Sequence, residues 1–290
     1  MSAPRESYAD GWRLGGPFAR NRDRAVFITY LMAGDPDPET SLEILRQVAE
    51  HADIIELGLP FSDPMAEGPS IQKAAQRALG AGMTTARVLD LVRRFRAFDT
   101  VTPIVLMGYL NPIESYGYEA FARDAAAAGA DGLIVVDCPA EEGGPLAAAL
   151  AASKLDLIPL VAPTTDDARL PQVVAHAAAD PRGQGFIYYV SVAGVTGVKA
   201  AEADRVGPAV ARIRRATDLP VAVGFGIRTP EQAAAIARVA DGVVIGSALV
   251  GEIESAVAQN RPAVPAVVGA AAALGEAIRR ARLAPADEEG

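Results

Sequence analysis

Eight short runs rich in Val, Ile and Leu punctuate this chain at intervals, and no other feature limits its folding as strongly. They fall near residues 25–31, 53–57, 103–107, 131–136, 156–161, 185–190, 220–224 and 241–245. Between them, apolar residues recur at helical spacing, as in Ser41 to Glu50, Thr85 to Phe98, Tyr118 to Ala128 and Glu231 to Val239. Strands that alternate with helices pair in parallel, and eight is the number that closes a (β/α)₈ barrel. The expected fold is therefore α/β, a single TIM barrel with an extra N-terminal helix. An open doubly wound sheet is the alternative.

The helix starts carry their own signals. Thr229-Pro230-Glu231-Gln232 offers an N-cap, a proline at the first helical position and a capping-box glutamine. Asp37-Pro38-Glu39 does the same after the first strand. Three segments echo one another, HADIIELG (51–58), GADGLIVVD (129–137) and VADGVVIGS (239–247). Each sets an aspartate, Asp53, Asp131 or Asp241, at the base of a strand. Strand bases in such a barrel serve stability and the opposite ends serve chemistry, so these aspartates read as structural. No internal linker interrupts the pattern. Residues 1–290 are expected to form one domain, with 1–16 a loose lead-in and 283–290 a frayed acidic tail.

Composition removes several functions. A net charge of −9 argues against nucleic acid, whose sequence-independent binding needs clustered cations. The cluster of Arg93, Arg94 and Arg96 reads as a solvated helix end. No apolar run reaches the ~18 residues of a membrane span, and Met1 to Gly16 has no apolar signal core. A cytoplasmic protein is expected. Cys138 is the single cysteine, a small core thiol in this reading, and His51 and His176 fall at helix ends. Metal catalysis thus lacks ligands, and no metal site is expected. Lys73, Lys154 and Lys199 are the only lysines, and none is expected on the inward face near a strand end, where a Schiff base must form.

Two carboxylates stand out. Glu56 interrupts the apolar run IIELGL, where desolvation raises its proton affinity and suits it to proton transfer. Glu67 follows on a loop with Pro60, Pro64, Gly68 and Pro69, on the face where loops carry function. After the last two strands come GFGIRTPE (224–231) and IGSAL (245–249). Glycine-bearing turns at helix starts in those places hold phosphate through backbone N–H groups, which singles out Gly226, Gly246 and Ser247.

The segments ELGLPFSDPMAEGPSIQ (56–72), PIVLMGYLNP (103–112), YYVSVAGVTG (188–197), VGFGIRTPEQ (223–232) and VIGSALV (244–250) together resemble the α subunits of tryptophan synthase. The resemblance runs from about Phe18 to Arg282. It implies a (β/α)₈ barrel that cleaves indole-3-glycerol phosphate to indole and glyceraldehyde 3-phosphate. It also implies a β-subunit partner in an α2β2 heterotetramer, with pyridoxal phosphate on the β subunit and no cofactor in this chain. By the same resemblance Glu56 is the general acid and base, and Glu67 the acceptor for the indole N–H. Gly197, Gly226, Gly246 and Ser247 fall on phosphate-binding positions. Tyr188 matches an active-site tyrosine. Phe18, Met107, Ile134, Val136 and Thr196 fall on or near the indole pocket and its closing loop, and Pro60 and Asp63 on the loop that faces the β subunit. The family motif has aspartate where this chain has Glu67. Two alternatives stay open: an α-like partner silenced by that change, which only activates a β subunit, and another phosphate-binding barrel such as a sugar-phosphate isomerase.

Overall fold

The structure, a computed structural model, describes residues 13–178, 185–191, 199–224 and 226–283. Among these, nine parallel strands form one sheet: β1 (Val26–Met32), β2 (Ile54–Gly58), β3 (Ile104–Gly108), β4 (Gly132–Val135), β5 (Asp156–Leu157), β6 (Leu160–Val161), β7 (Ile187–Val190), β8 (Val221–Gly224) and β9 (Gly242–Ile245). Their hydrogen-bonded order is β5-β4-β3-β2-β1-β9-β8-β7-β6. The two ends of that order, β5 and β6, are separated in sequence by Ile158 and Pro159 alone. The Ile158 N–H donates to the Leu133 carbonyl at 2.9 Å, and the Pro159 carbonyl accepts from the Tyr188 N–H at 3.0 Å. One continuous segment therefore joins β4 to β7, and the sheet closes into the expected barrel. The single run expected over 156–161 is split because Pro159 has no N–H to give to a ladder.

Helices clothe the ring: α1 (Gly15–Arg20), α2 (Pro38–Val48), α3 (Pro69–Gly80), α4 (Thr85–Arg96), α5 (Leu110–Tyr116), α6 (Tyr118–Ala128), α7 (Gly144–Ala152), α8 (Leu170–Ala178), α9 (Lys199–Arg214), α10 (Pro230–Ala237), α11 (Ser247–Ala258) and α12 (Ala263–Arg280). The starts behave as their sequences suggest. The Asp37 side chain accepts from the N–H groups of Glu39 and Thr40 to open α2, and Thr229 with Gln232 forms a complete capping box on α10.

Register partners share a face of the sheet. Tyr30, Glu56 and Val105 form one inward row, and Met32, Gly58, Met107 and Ile134 form the next row toward the C-terminal ends. The outward face packs on helices. Phe27 is fully buried there, and a Cβ on Gly275 of α12 would lie 3.1 Å from its ring.

The three echoing aspartates do one job at three places. Asp53 accepts from the Phe27 N–H (2.9 Å), Asp131 from the Ile104 N–H (2.8 Å) and Asp241 from the Val221 N–H (2.9 Å). Each reaches back to the strand before its own and fixes the local register. Each is also paired with arginine: Asp53 with Arg24, Asp131 with Arg96 and Arg13, and Asp241 with Arg214.

These pairs revise two expectations. Arg93 and Arg94 do lie exposed on α4, beside Asp90 and Glu39, but Arg96 is turned inward with a side chain only 10% exposed. Burial foremost lowers its pKa to about 10, against the pull of Asp131. The loose lead-in, expected to reach residue 16, has given way to packed structure by Arg13 and Leu14. Arg13 binds Asp131 and Leu14 is buried. At the other end Leu283 is 67% exposed.

Candidate functional site

A cavity of about 140 Å³ opens at the C-terminal ends of the strands, bordered by Tyr30, Glu67, Met107, Tyr188, Gly226, Gly246 and Ser247. Ile71, Ile227 and Val244 complete an otherwise apolar wall. Such a chamber, apolar with a few convergent polar groups, has the character of a small-molecule site.

Glu56 lies at the middle of β2, one inward row below Gly58, and is fully buried. Neither carboxylate oxygen has a hydrogen-bond partner among the described residues. A buried polar atom left in that condition is costly, and its persistence points to a ligand that supplies the partner. Burial first, and then the charge of Glu67, push the Glu56 pKa well above the ordinary carboxylate range. That upward shift favours the protonated acid, a form able to give its proton and take one back.

Glu67 arrives from above on the loop between β2 and α3. Burial raises its pKa to about 7. The loop is pinned at three points. The Glu67 N–H donates to the Pro64 carbonyl (3.1 Å), the Gln72 side-chain amide to the Glu67 carbonyl (2.9 Å), and the Ala66 N–H to the Tyr109 hydroxyl (2.9 Å). The Tyr109 ring also stacks on Phe61 with centroids 5.3 Å apart. Pro60 is buried at the root of this loop, whereas Asp63 is exposed near its tip.

Two tyrosines collar the floor. A side chain at Gly58 would collide with the Tyr30 hydroxyl, and one at Gly224 with the Tyr188 hydroxyl. The glycines make room for two rings that lean toward the mouth above Glu56. Both hydroxyls have pKa values raised well above normal by burial and then by the two carboxylates, Glu67 weighing most on Tyr30 and Glu56 most on Tyr188.

Two helix starts near the cavity differ in a telling way. The capping box of α10 satisfies its own first turn. Gly246 stands at the N-cap of α11 and has no side chain to bond its first turn, so no capping side chain competes with an anion there. A Cβ on Gly246 would lie 3.0 Å from the Tyr30 Cβ, a tight contact that favours glycine there. Gly226 adopts φ 76°, also suited to glycine.

Of the residues singled out in the sequence, Glu67, Met107, Tyr188, Gly226, Gly246 and Ser247 gather at this cavity, with Glu56 beneath them. Ile134 is buried beside Met107, one position off the wall. Val136 borders a neighbouring cavity of about 310 Å³ with Cys138, Leu160 and Arg169. Cys138 is only half-buried there, not a core thiol. Phe18 lies elsewhere. It belongs to α1, which covers the opposite end of the barrel, where it packs on Phe186 at 5.6 Å and against Gly242. Tyr30 and Tyr109, unmarked in the sequence, occupy the aromatic places near the mouth. Thr196 and Gly197 lie outside the described residues. Lys73 pairs with Glu254 of α11 at 2.6 Å, away from the cavity. No three His, Cys, Asp or Glu side chains gather as metal ligands among the described residues, and no described helix is long and apolar enough to cross a membrane.

The family model for the tryptophan synthase alpha chain matches residues 18–279. A tryptophan synthase alpha chain from Caulobacter sp. (strain K31) is 62% identical over 262 residues, covering 90% of this chain and 93% of the relative. One from Gluconacetobacter diazotrophicus is 57% identical over 277 residues, covering 93% and 99%. The crystal structure of tryptophan synthase subunit alpha from Legionella pneumophila str. Paris superposes with a TM-score of 0.83 at 40% identity, covering 92% of this chain and 98% of that one. The agreement spans sequence and fold alike, and this chain belongs to the tryptophan synthase alpha chain family.

Proposed function

We propose that this chain cleaves indole-3-glycerol phosphate to indole and glyceraldehyde 3-phosphate, as the α subunit of a tryptophan synthase, and that Glu56 and Glu67 carry the reaction. The observation that bears most weight is Glu56, fully buried with both oxygens unpartnered, directly below a cavity walled by Glu67.

The chemistry follows from the two environments. Glu56 enters protonated and delivers its proton to C3 of the indole, which places positive charge on the ring nitrogen. The ionised Glu67 carboxylate accepts a hydrogen bond from that N–H and stabilises the charge as it develops. Glu56, now a carboxylate, removes the proton of the neighbouring glycerol hydroxyl. That oxygen forms a carbonyl, the carbon–carbon bond breaks, and its electron pair restores the indole. One acid serves both transfers in turn, while the second holds charge. Gly246 and Ser247 at the start of α11, with Gly226 on the loop after β8, hold the phosphate, and Gly197 extends that role. Met107, Ile134, Tyr188 and Thr196 shape the indole chamber.

The family role brings a β-subunit partner, and pyridoxal phosphate belongs to that partner. We place the loop of Pro60 and Asp63 at the joint surface, in an α2β2 assembly in the cytoplasm. Exposed Met65, 80% accessible beside Asp63, supplies an apolar contact for it.

The direct test is indole release from indole-3-glycerol phosphate by the purified chain, with and without a tryptophan synthase β subunit. Turnover that rises with the β subunit is expected. Substrate binding without turnover in either condition would reduce the chain to a non-catalytic partner.

A further inference from the structure

We infer that Tyr30 is a positioning residue for Glu67: its hydroxyl donates to the Glu67 carboxylate when substrate fills the cavity, so that the two side chains work as one unit. The inference rests on the lyase reading above and adds a residue to it.

The geometry is specific. Tyr30 and Glu67 border the same cavity. The Tyr30 ring occupies space left by two glycines, with Gly58 of β2 beside its hydroxyl and Gly246 beside its Cβ and ring. Its backbone is register partner to Glu56, and its hydroxyl reaches Gly58, one row nearer the mouth and the cavity that Glu67 also borders. No group among the described residues donates to the Glu67 side chain, although its backbone is tied by Pro64 and Gln72. A donor on β1 and an acceptor on a tethered loop therefore border one cavity, the one that the lyase reading fills with indole. A glutamate has the reach to take both donors; an aspartate, one methylene shorter, falls back from the tyrosine.

The electrostatics agree with the placement. Glu67 is the charge that weighs most on the Tyr30 hydroxyl, ahead of Glu56, Tyr109 and Asp35. A donor lent to a carboxylate favours its ionised form, which is the form the mechanism needs.

The test is a double-mutant cycle on indole release, using Tyr30→Phe and Glu67→Asp singly and together in the full chain with a β subunit. Tyr30→Phe alone is expected to lower kcat/KM about ten-fold, the worth of one hydrogen bond to a charged group. It should also move the rising limb of the pH profile upward. In the Glu67→Asp background the same change is expected to cost less than about two-fold, because the shorter acid no longer uses the hydroxyl. Equal losses in both backgrounds, or an unmoved limb, would overturn the inference and leave Tyr30 a packing residue. Wild-type protein and Glu56→Gln run alongside separate the two levels. Absence of wild-type turnover defeats the lyase reading, whereas normal turnover without coupling defeats only the role of Tyr30. Circular dichroism of each variant before and after heating confirms that the comparison is made on folded protein.

Discussion

Arg96 and Asp131 meet at 2.9 Å beneath the barrel, where Asp131 also receives Arg13 at 2.7 Å and the Ile104 N–H at 2.8 Å. Three donors from three parts of the chain converge on one buried carboxylate. Replacing it by asparagine leaves two guanidinium groups facing a neutral amide, one of them nearly buried. We expect Asp131→Asn to cost on the order of 3 kcal/mol. Thermal unfolding should show a fall of about 5 °C. Indole release per folded molecule should be unchanged, since the aspartate lies at the end of the barrel away from the cavity.

Glu56→Gln tests the proposed acid directly. Loss of a general acid and base costs about 10²–10⁴-fold in rate, so indole release should fall by at least that much. The same change removes a buried, unpartnered carboxyl, and the variant should melt no lower than the wild type. Retained turnover in a folded Glu56→Gln protein would remove Glu56 from the mechanism.

The raised Glu67 pKa has two consequences with opposite signs. For catalysis Glu67 must be ionised, so kcat/KM should climb with pH through about 7 and fall at higher pH as Glu56 loses its proton. For stability the folded chain holds the Glu67 proton more tightly than the unfolded chain, between the ordinary 4.5 and about 7. Folding therefore loses stability as pH rises through that window. Glu67→Gln removes the Glu67 share of that slope. Its melting temperature should gain on the wild type as pH goes from about 5 to about 8, while its turnover falls.

Tyr109→Phe deletes the acceptor for the Ala66 N–H but keeps the ring on Phe61. The loop that carries Glu67 then loses one of its three ties. The freed amide is at the surface and finds water, so the cost to stability should stay near the ~0.5–1.5 kcal/mol of a single hydrogen bond. The larger effect should be in steady-state kinetics, as a several-fold rise in KM.

Much of this was legible in the residues, for reasons that differ by element. The barrel strands announce themselves because both faces of a parallel strand are buried and need apolar side chains. Glu56 stood out as a charge inside such a run, and the aspartates by repetition. Tyr30 did not, because in VFITYLM a tyrosine reads as one more bulky strand residue. Only the closed ring reveals that Gly58 lies beside it and leaves room for its hydroxyl. Arg96 was hidden for a similar reason. It sits next to Arg93 and Arg94 in sequence, yet the helical turn sends it inward while they face water. Phe18 shows the reverse error, an aromatic assigned to the chamber although α1 carries it to the other end of the barrel.

The interruption at Ile158 and Pro159 makes the wall of the barrel uneven. β5 and β6 are two residues each, whereas β1 and β2 are matched over five pairs. Opening fluctuations begin where fewest bonds must part. The cylinder accordingly has a clasp, set beside the cavity of Val136 and Cys138, where the fewest ladder bonds hold the ring closed. Tyr30 on β1 and Glu56 on β2 lie across the ring from that clasp. Their register is held by the pair of strands matched over the most positions among the described residues.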